Sequence, residues 1–218
     1  MPDCRIKILK SSSMLRRSKN FSMNIVFDIG NVLICWDPRA AFRQSMRTDA
    51  EIDAFFEKAG FFAWNACQDA GRTRAEAVAA APADAADTLD GYFDRFGLTI
   101  ANKVPGTWNI VTDLRQQGHR IFGLTNWAAD TWPAARQTHP EIEEIFEDVV
   151  VSGFEGITKP QKEIYDLLCA RNHLVPAECL FIDDSPKNVA GAHAAGWQGH
   201  HFIDAAALRS DLTERGLL

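Results

Sequence analysis

The sequence predicts an α/β fold: a doubly wound parallel sheet with a small helical cap inserted after its first strand. From residue 104 onward, short apolar runs alternate with segments of helical periodicity, which is typical of a parallel sheet covered by helices on both faces. One block of helical patterns, residues 38–103, interrupts this alternation. A chain of 218 residues is long enough to bury one such core with an insertion.

The elements follow from local patterns. The segment 24–29, NIVFDI, is rich in β-branched and aromatic residues and predicts a strand buried on both faces. Apolar residues at three- and four-residue spacing predict helices in the cap over 39–47, 49–59, 73–81 and 83–96, with a short aromatic segment over 61–68. After Pro105 and Gly106, the patterns predict helices over 108–117, 130–138, 141–146, 161–172, 187–195 and 205–215, and strands over 120–125, 148–151, 179–182 and 198–202.

We therefore divide the chain into a basic N-terminal extension (1–22), a core domain (23–37 and 104–218) and a helical cap (38–103). The extension holds six basic residues and one acid, has no helix or strand period, and lacks the continuous apolar run of a secretory signal. We expect it to be a flexible tail, or to result from an upstream start codon, rather than a targeting signal.

Charge and cysteine content exclude some classes of function. The net charge is −6, and without the extension 17 basic and 28 acidic residues leave −11. An acidic body argues against nucleic acid or an anionic membrane as partner. No apolar run is long enough to span a membrane, and the five cysteines form no C-x-x-C pair. These features favour a reducing, cytoplasmic setting.

Polar residues recur where predicted strands end. Asp28 ends the first strand, and the carboxyl ends of parallel strands are where open α/β sheets bind ligands. An Asp-Gly-Asn turn explains Asp28 equally well when it is taken alone. Further polar groups follow later apolar runs in a fixed order: Thr125 and Asn126, then Lys159, then Asp183 and Asp184, with Asn188 beyond them. Each of these motifs alone is weak, since a turn, a cap or a surface lysine would explain it.

Taken together, the four motifs resemble those of the haloacid dehalogenase-like (HAD) hydrolases, over residue 24 to the C-terminus. The opening FDIGNVL is most similar to a branch that includes a bacterial glucose-1-phosphate phosphatase. The resemblance implies that Asp28 is a nucleophile forming an aspartyl-phosphate. It also implies Mg²⁺ bound by Asp28, the Gly30 carbonyl oxygen and Asp184. By the same resemblance, Asp183 supports the metal, and Asn188, with Asn31 nearby, orients the carboxylates. Thr125, Asn126 and Lys159 would contact the phosphoryl group.

One position departs from the family pattern. Most phosphatases of this superfamily have a second aspartate two residues after the nucleophile, as general acid and base, and here that position is Gly30. Asp37 is a candidate replacement, although an Asp-Pro turn explains it as well. A metal-independent dehalogenase also lacks the second aspartate, but the Asp183-Asp184 pair disfavours that alternative. A phosphate-binding or regulatory module with little turnover stays open. A receiver-like domain is disfavoured by the large insertion.

The cap is expected to select the substrate. A polar-aromatic cluster in it suits a sugar or another small polar leaving group; its members are Trp64, Asn65, Gln68 and Arg72, with Asp69 and Arg74 beside them. A packed cap with an exposed loop would explain the cluster equally well. The sequence thus predicts a Mg²⁺-dependent phosphatase of a small phosphorylated metabolite, with a sugar phosphate as one candidate. It is expected to be a monomer or homodimer, without nucleic-acid or membrane partners.

Overall fold

The computed structural model describes residues 22–218, so the predicted extension, except Ser22, lies outside the described residues. Within that range a five-stranded parallel sheet has the order β3-β2-β1-β4-β5. Its strands are β1 (Asn24–Phe27), β2 (Arg120–Thr125), β3 (Val149–Val151), β4 (Cys179–Asp183) and β5 (Gln198–His201). The predicted doubly wound α/β fold is confirmed.

The first strand is the centre of the sheet because it is apolar on both faces. Ile25 and Phe27 belong to one buried cluster and Val26 to another, as the two-residue period of a strand requires. Helices cover both faces of the sheet. Those that follow the insertion are α6 (Thr107–Gln116), α7 (Trp132–Thr138), α8 (Ile142–Ile145), α9 (Ser152–Glu155), α10 (Lys162–Asn172), α11 (Pro186–Ala194) and α12 (Ala205–Glu214).

The insertion between β1 and β2 is helical. Its helices are α1 (Asp49–Ala59), α2 (Phe61–Asp69), α3 (Arg74–Ala79), α4 (Ala86–Asp94) and α5 (Phe96–Thr99). Thr48 and Thr73 begin α1 and α3 with reciprocal capping boxes. Phe42, Phe56 and Leu89 join the same buried cluster as Ile25, so the insertion packs continuously onto one face of the sheet. The division into cap and core at residues 37/38 and 103/104 stays a prediction.

The two chain connections to the insertion run side by side. Cys35 N donates to Asn102 O at 2.8 Å, and Val104 N donates to Leu33 O at 2.8 Å. These bonds hold both entry points of the insertion close to the end of β1, and therefore close to the predicted nucleophile.

Several predicted helix bounds were wrong. The segment 39–47 contains a 3-10 turn, Pro38–Ala41, followed by turns, and the α-helix begins only after Thr48. The predicted helix 83–96 is divided into α4 and α5, and the short helix α9 follows β3 directly, where none was predicted. Among residues 22–218, no helix is long and apolar enough to span a membrane.

Candidate active site

The polar residues predicted at strand ends do meet at one edge of the sheet. Phe27 of β1 lies opposite Gly123 of β2 and Ile182 of β4. The residues that follow these positions, Asp28 and Asp183 among them, therefore emerge together. Asp28 N donates to Ile182 O at 2.8 Å, which extends the pairing of the two strands by one residue.

Lys159 joins the two neighbouring carboxylates. Its Nζ lies 2.8 Å from Asp28 Oδ2 and 2.7 Å from Asp183 Oδ2, and it donates to Leu124 O at 3.0 Å. Lys159 is only 3% exposed. Burial opposes the charge of this ammonium group, but the two carboxylates outweigh burial and its pKa is raised. Lys159 therefore stays a cation fixed beside the predicted nucleophile.

Asp183 is fully buried and held by several donors. Besides Lys159, the backbone N–H of Ser185 donates to its Oδ1 at 2.7 Å, and Asn188 Nδ2 lies 3.0 and 3.1 Å from its two oxygens. Asn188 is in the first turn of α11, which places its amide directly behind Asp183. The arrangement fixes the orientation of this carboxylate.

Three carboxylates gather at this edge. One oxygen each of Asp28, Asp183 and Asp184 can be chosen so that all three lie within 4.8 Å of one another. Asn31, which adopts a left-handed backbone (φ 57°), accepts at its Oδ1 from Trp36 N at 3.1 Å, and its side chain lowers the pKa of Asp184. Lys159 balances only one of the three negative charges.

Burial, together with repulsion between the carboxylates, raises the pKa values of two of these acids. Burial, and then repulsion from Asp183 and Asp184, raises the pKa of Asp28 to about 7 although Lys159 lowers it. Burial and the neighbouring Asp183 also raise the pKa of Asp184, with Lys159 and Asn31 opposing them. These carboxylates would be ionised together more readily with a further cation among them.

Asn126 has a different contact from the one predicted. Its Nδ2 donates to Lys159 O at 3.1 Å, and its Oδ1 accepts from Lys159 N at 2.8 Å. The side-chain amide, predicted to hydrogen-bond phosphoryl oxygens, is thus engaged with the backbone of Lys159. Asn126 still lines the site, and its backbone N–H stays a candidate donor to a phosphoryl oxygen.

A cavity of about 160 Å³ opens above the carboxylates. From the sheet edge it is lined by Asp28, Gly30, Asn31, Thr125, Asn126 and Asp184. Aromatic rings form much of the rest of the wall, from Trp36, Phe96 and Trp127, and Ala128 and Thr131 complete the core side. Asn65 and Asp69, both in α2, reach it from the insertion. Lys and Arg are absent from this lining within the described residues.

Three of the four residues predicted to contact the substrate do not line this cavity. Trp64 is buried and its Nε1 donates to Ala77 O at 2.8 Å. Arg72 donates to Gln68 Oε1 and to Trp64 O, each at 2.7 Å. These side chains pack the interior of the insertion. Only Asn65 of the predicted set faces the cavity.

Asp37 does not line the cavity either. Its carboxylate accepts from Arg39 N at 3.1 Å and caps the 3-10 turn, and Arg43 lies 3.4 Å from its other oxygen. The structure thus favours the structural explanation, an Asp-Pro turn, over a replacement for the acid missing at Gly30.

Asp69 lines the cavity, although the sequence placed it only beside the polar-aromatic cluster and not among the four residues predicted to contact the substrate. It follows Asn65 by four residues, so both share one face of α2, a spacing that could have indicated it. Its carboxylate accepts no hydrogen bond from the described residues. Burial raises the pKa of Asp69 to about 6, while the charge of Lys159 opposes that rise.

The end of α2 is seated on the core. Ser152 Oγ donates to Asp69 O at 2.6 Å and accepts from Trp127 N at 3.0 Å. Beside it, Gly153 leaves no room for a side chain: a Cβ there would lie 2.3 Å from Ala129 N and 2.6 Å from Trp127 O. This contact fixes the backbone of Asp69 above the sheet edge.

Comparison with known proteins places the chain among hydrolases. A sesquiterpene phosphatase of Aspergillus oryzae is 30% identical over 106 residues, which is 49% of this chain and 54% of that protein. A D-ribitol-5-phosphate phosphatase of Bacteroides thetaiotaomicron is 23% identical over 203 residues, covering 87% of this chain and 96% of that protein. The chain thus spans about half the length of the first relative and nearly all of the second.

Solved structures and a family model agree on the fold. The crystal structure of a HAD family enzyme from Bacteroides thetaiotaomicron, in complex with magnesium and inorganic phosphate, superposes with a TM-score of 0.64 at 22% identity, covering 86% of this chain and 98% of that one. The L-2-haloacid dehalogenase of Xanthobacter autotrophicus gives 0.58 at 16% identity, covering 90% and 84%. The branch that includes glucose-1-phosphate phosphatase stays a prediction. The model of the haloacid dehalogenase-like hydrolases matches residues 23–196, and the chain belongs to this family of hydrolases.

Proposed function

We propose that the protein is a Mg²⁺-dependent phosphatase that hydrolyses a small phosphomonoester through an aspartyl-phosphate on Asp28. The observation that carries this proposal is the cluster of Asp28, Asp183 and Asp184 beside the buried Lys159, at the floor of a cavity. A metal-independent dehalogenase requires one nucleophilic carboxylate, so a cluster of three disfavours that alternative.

The carboxylate cluster fits a divalent cation. Its oxygen ligands are the type that Mg²⁺ prefers, and one ammonium group leaves two of the three negative charges unbalanced. Asp28 and Asp184, with the carbonyl oxygen of Gly30, would hold the ion, and Asp183 would support it. When bound, the ion would neutralise the repulsion between the carboxylates and the phosphate and polarise the phosphoryl group.

The other residues at the sheet edge then have distinct roles. One oxygen of Asp28 attacks phosphorus while its partner oxygen accepts from Ile29 N at 2.7 Å, which restricts rotation of the carboxylate. Lys159 offsets negative charge at the nucleophile. The Thr125 hydroxyl lines the cavity and donates to a phosphoryl oxygen, as does the backbone N–H of Asn126.

The cavity favours a leaving group without negative charge. Its upper wall carries the carboxylate of Asp69 and the amide of Asn65 among aromatic rings, and no Lys or Arg among the described residues lines it. A second phosphate or carboxylate on the substrate would be repelled there. Hydroxylated or apolar alcohols fit better, and the two relatives are named for a terpenoid and for a polyol phosphate. A sugar or polyol phosphate is the leading candidate.

Phosphate release tests the proposal. D-Ribitol 5-phosphate, glucose 1-phosphate, n-hexyl phosphate, p-nitrophenyl phosphate and phosphoglycolate are assayed with Mg²⁺ and with EDTA, for the wild type and Asp28→Asn. We expect metal-dependent turnover of at least one uncharged-alcohol ester, poor turnover of phosphoglycolate, and none in the variant. Turnover of 2-chloropropionate without metal, and of no phosphate ester, would establish the dehalogenase-like alternative instead. Tight phosphate binding without any turnover would support the binding module.

A further inference from the structure

The position where related phosphatases hold their proton donor is empty space here. Gly30 lines the cavity two residues after Asp28, and a Cβ built on it would have nothing within 4 Å. Departure of an alkoxide nevertheless needs a proton, and loss of a general acid costs about 10²–10⁴ in rate where proton transfer matters. Another group facing the same cavity should therefore supply it.

Asp69 is the carboxylic acid that faces Asp28 across the cavity. It ends α2 in the insertion, whereas Asp28 and Asp184 belong to the sheet edge. Its backbone is fixed by the 2.6 Å hydrogen bond from Ser152, while its carboxylate has no donor among the described residues. A partly buried carboxyl group that lines the cavity and has no structural partner is available to exchange a proton with a ligand.

The surroundings of Asp69 favour such an exchange. Burial raises its pKa to about 6, against the opposing charge of Lys159, so both protonation states are accessible near neutral pH. The other titratable groups around it are Asp28 and Asp184, which line the same cavity, and the buried hydroxyl of Tyr92, whose pKa the charge of Asp69 helps to raise. Tyr92 accepts from Trp36 Nε1 at 3.3 Å and its pKa is raised by burial, so it stays neutral.

We propose that Asp69, contributed by the insertion, is the general acid and base that replaces the aspartate missing at Gly30. This inference rests on the proposed phosphatase function. In the first step Asp28 attacks phosphorus, the ester P–O bond breaks, and protonated Asp69 gives its proton to the departing alcohol oxygen. In the second step Asp69 accepts a proton from the water that attacks the aspartyl-phosphate. Phosphate leaves, and Asp28 and protonated Asp69 are regenerated.

The test compares leaving groups in Asp69→Asn. An alkyl phosphate needs the acid in the first step, and we expect its hydrolysis to fall by about 10²–10⁴ without a burst of alcohol. p-Nitrophenolate departs without a proton, so the variant should give a stoichiometric burst followed by slow turnover, because the second step has lost its base. The phosphoryl group retained on the chain should then be detectable by intact mass and removed by Asp28→Asn.

Two further variants separate chemistry from structure. Gly30→Asp in the Asp69→Asn background should restore at least part of the alkyl phosphatase activity, since the new side chain meets open space. Asp130→Asn is the matched control: its carboxylate accepts from Arg74 N at 2.7 Å at the contact between insertion and core, but does not line the cavity. We expect no burst and no dependence on the leaving group in this control.

The results of these assays test the role of Asp69 separately from the proposed phosphatase function. A wild type that hydrolyses no ester would refute the proposed function itself. An active wild type whose Asp69→Asn variant loses activity equally for both leaving groups, with raised KM and no phosphoenzyme, would make Asp69 a substrate-binding residue and overturn the inference. An unchanged variant would overturn it as well.

Discussion

Replacing Asp28 by asparagine should abolish turnover and yet stabilise the metal-free protein above neutral pH. Asp28 is 7% exposed and its burial beside Asp183 and Asp184 raises its pKa from 3.8 to about 7. In the unfolded chain the same carboxyl group titrates at its ordinary value. The folded protein therefore holds this proton more tightly than the unfolded chain does, and folding becomes less favourable as pH rises between the two pKa values.

The size of the effect follows from that interval. Each pH unit within it costs about 1.4 kcal/mol, so between about pH 5 and about pH 8 the wild type should lose about 3 kcal/mol that Asp28→Asn keeps. The variant also loses the 2.8 Å ion pair with Lys159. Lys159 retains its 2.7 Å contact with Asp183 and its 3.0 Å hydrogen bond to Leu124 O, so its charge stays paired.

Denaturant unfolding in EDTA at about pH 5 and about pH 8 measures this difference. The free energy of unfolding of the wild type should fall between the two conditions by more than that of Asp28→Asn. At the higher pH the variant should be the more stable protein. Adding Mg²⁺ should raise the stability of the wild type by more than that of the variant, because only the wild type has all three carboxylates.

The opposite result would refute this reasoning. If Asp28→Asn were less stable than the wild type at about pH 8 without metal, the ion pair with Lys159 would outweigh the cost of burying the carboxylate. Parallel pH dependence of the two proteins would show that Asp28 titrates near its ordinary pKa in the folded state. In either case the charge imbalance at the sheet edge would be weaker evidence for a cation.

Three smaller perturbations test individual contacts. Asn188→Ala removes both amide contacts to Asp183 and should lower the apparent affinity for Mg²⁺ about 10–100-fold in a titration of activity; an unchanged affinity would contradict a supporting role. Gly153→Ala places a Cβ 2.3 Å from Ala129 N and 2.6 Å from Trp127 O and should lower the free energy of unfolding by about 1–3 kcal/mol. A neutral effect would mean that the backbone around Gly153 can shift to accept the added methyl group. Asp37→Ala should cost about 1 kcal/mol through loss of its cap but leave kcat unchanged, and a large loss of kcat would return Asp37 as a proton donor.

The residues of the sheet edge could be predicted because strand ends are local features. Asp28 and Asp183 each lie at the end of an apolar strand, and parallel pairing brings such positions to one edge. Lys159 is different, because it lies beyond α9 and reaches the two carboxylates from a loop. The sequence does not reveal how each polar group is used. Asn126 has both an amide side chain and a backbone N–H, and only the folded chain shows that the amide holds Lys159.

The insertion was harder to predict because its polar residues can face either its interior or the cavity. Gln68 is 1% exposed and pairs with Arg72, while Asp69, the next residue, faces the cavity. On a helix, neighbouring residues lie about 100° apart, so two consecutive side chains can face the packed interior and the cavity respectively. Without the orientation of α2, a polar-aromatic cluster cannot be divided into these two sets.

The two hydrogen bonds of the Ser152 hydroxyl have a consequence for how the candidate active site is assembled. The hydroxyl accepts from Trp127 N on the core and donates to Asp69 O on the insertion, so one side chain joins the end of α2 to the sheet domain. Under the proposed role of Asp69, the sheet edge by itself would be an incomplete catalyst. Loss of this contact would then displace the proton donor while leaving the carboxylates of the sheet edge in place.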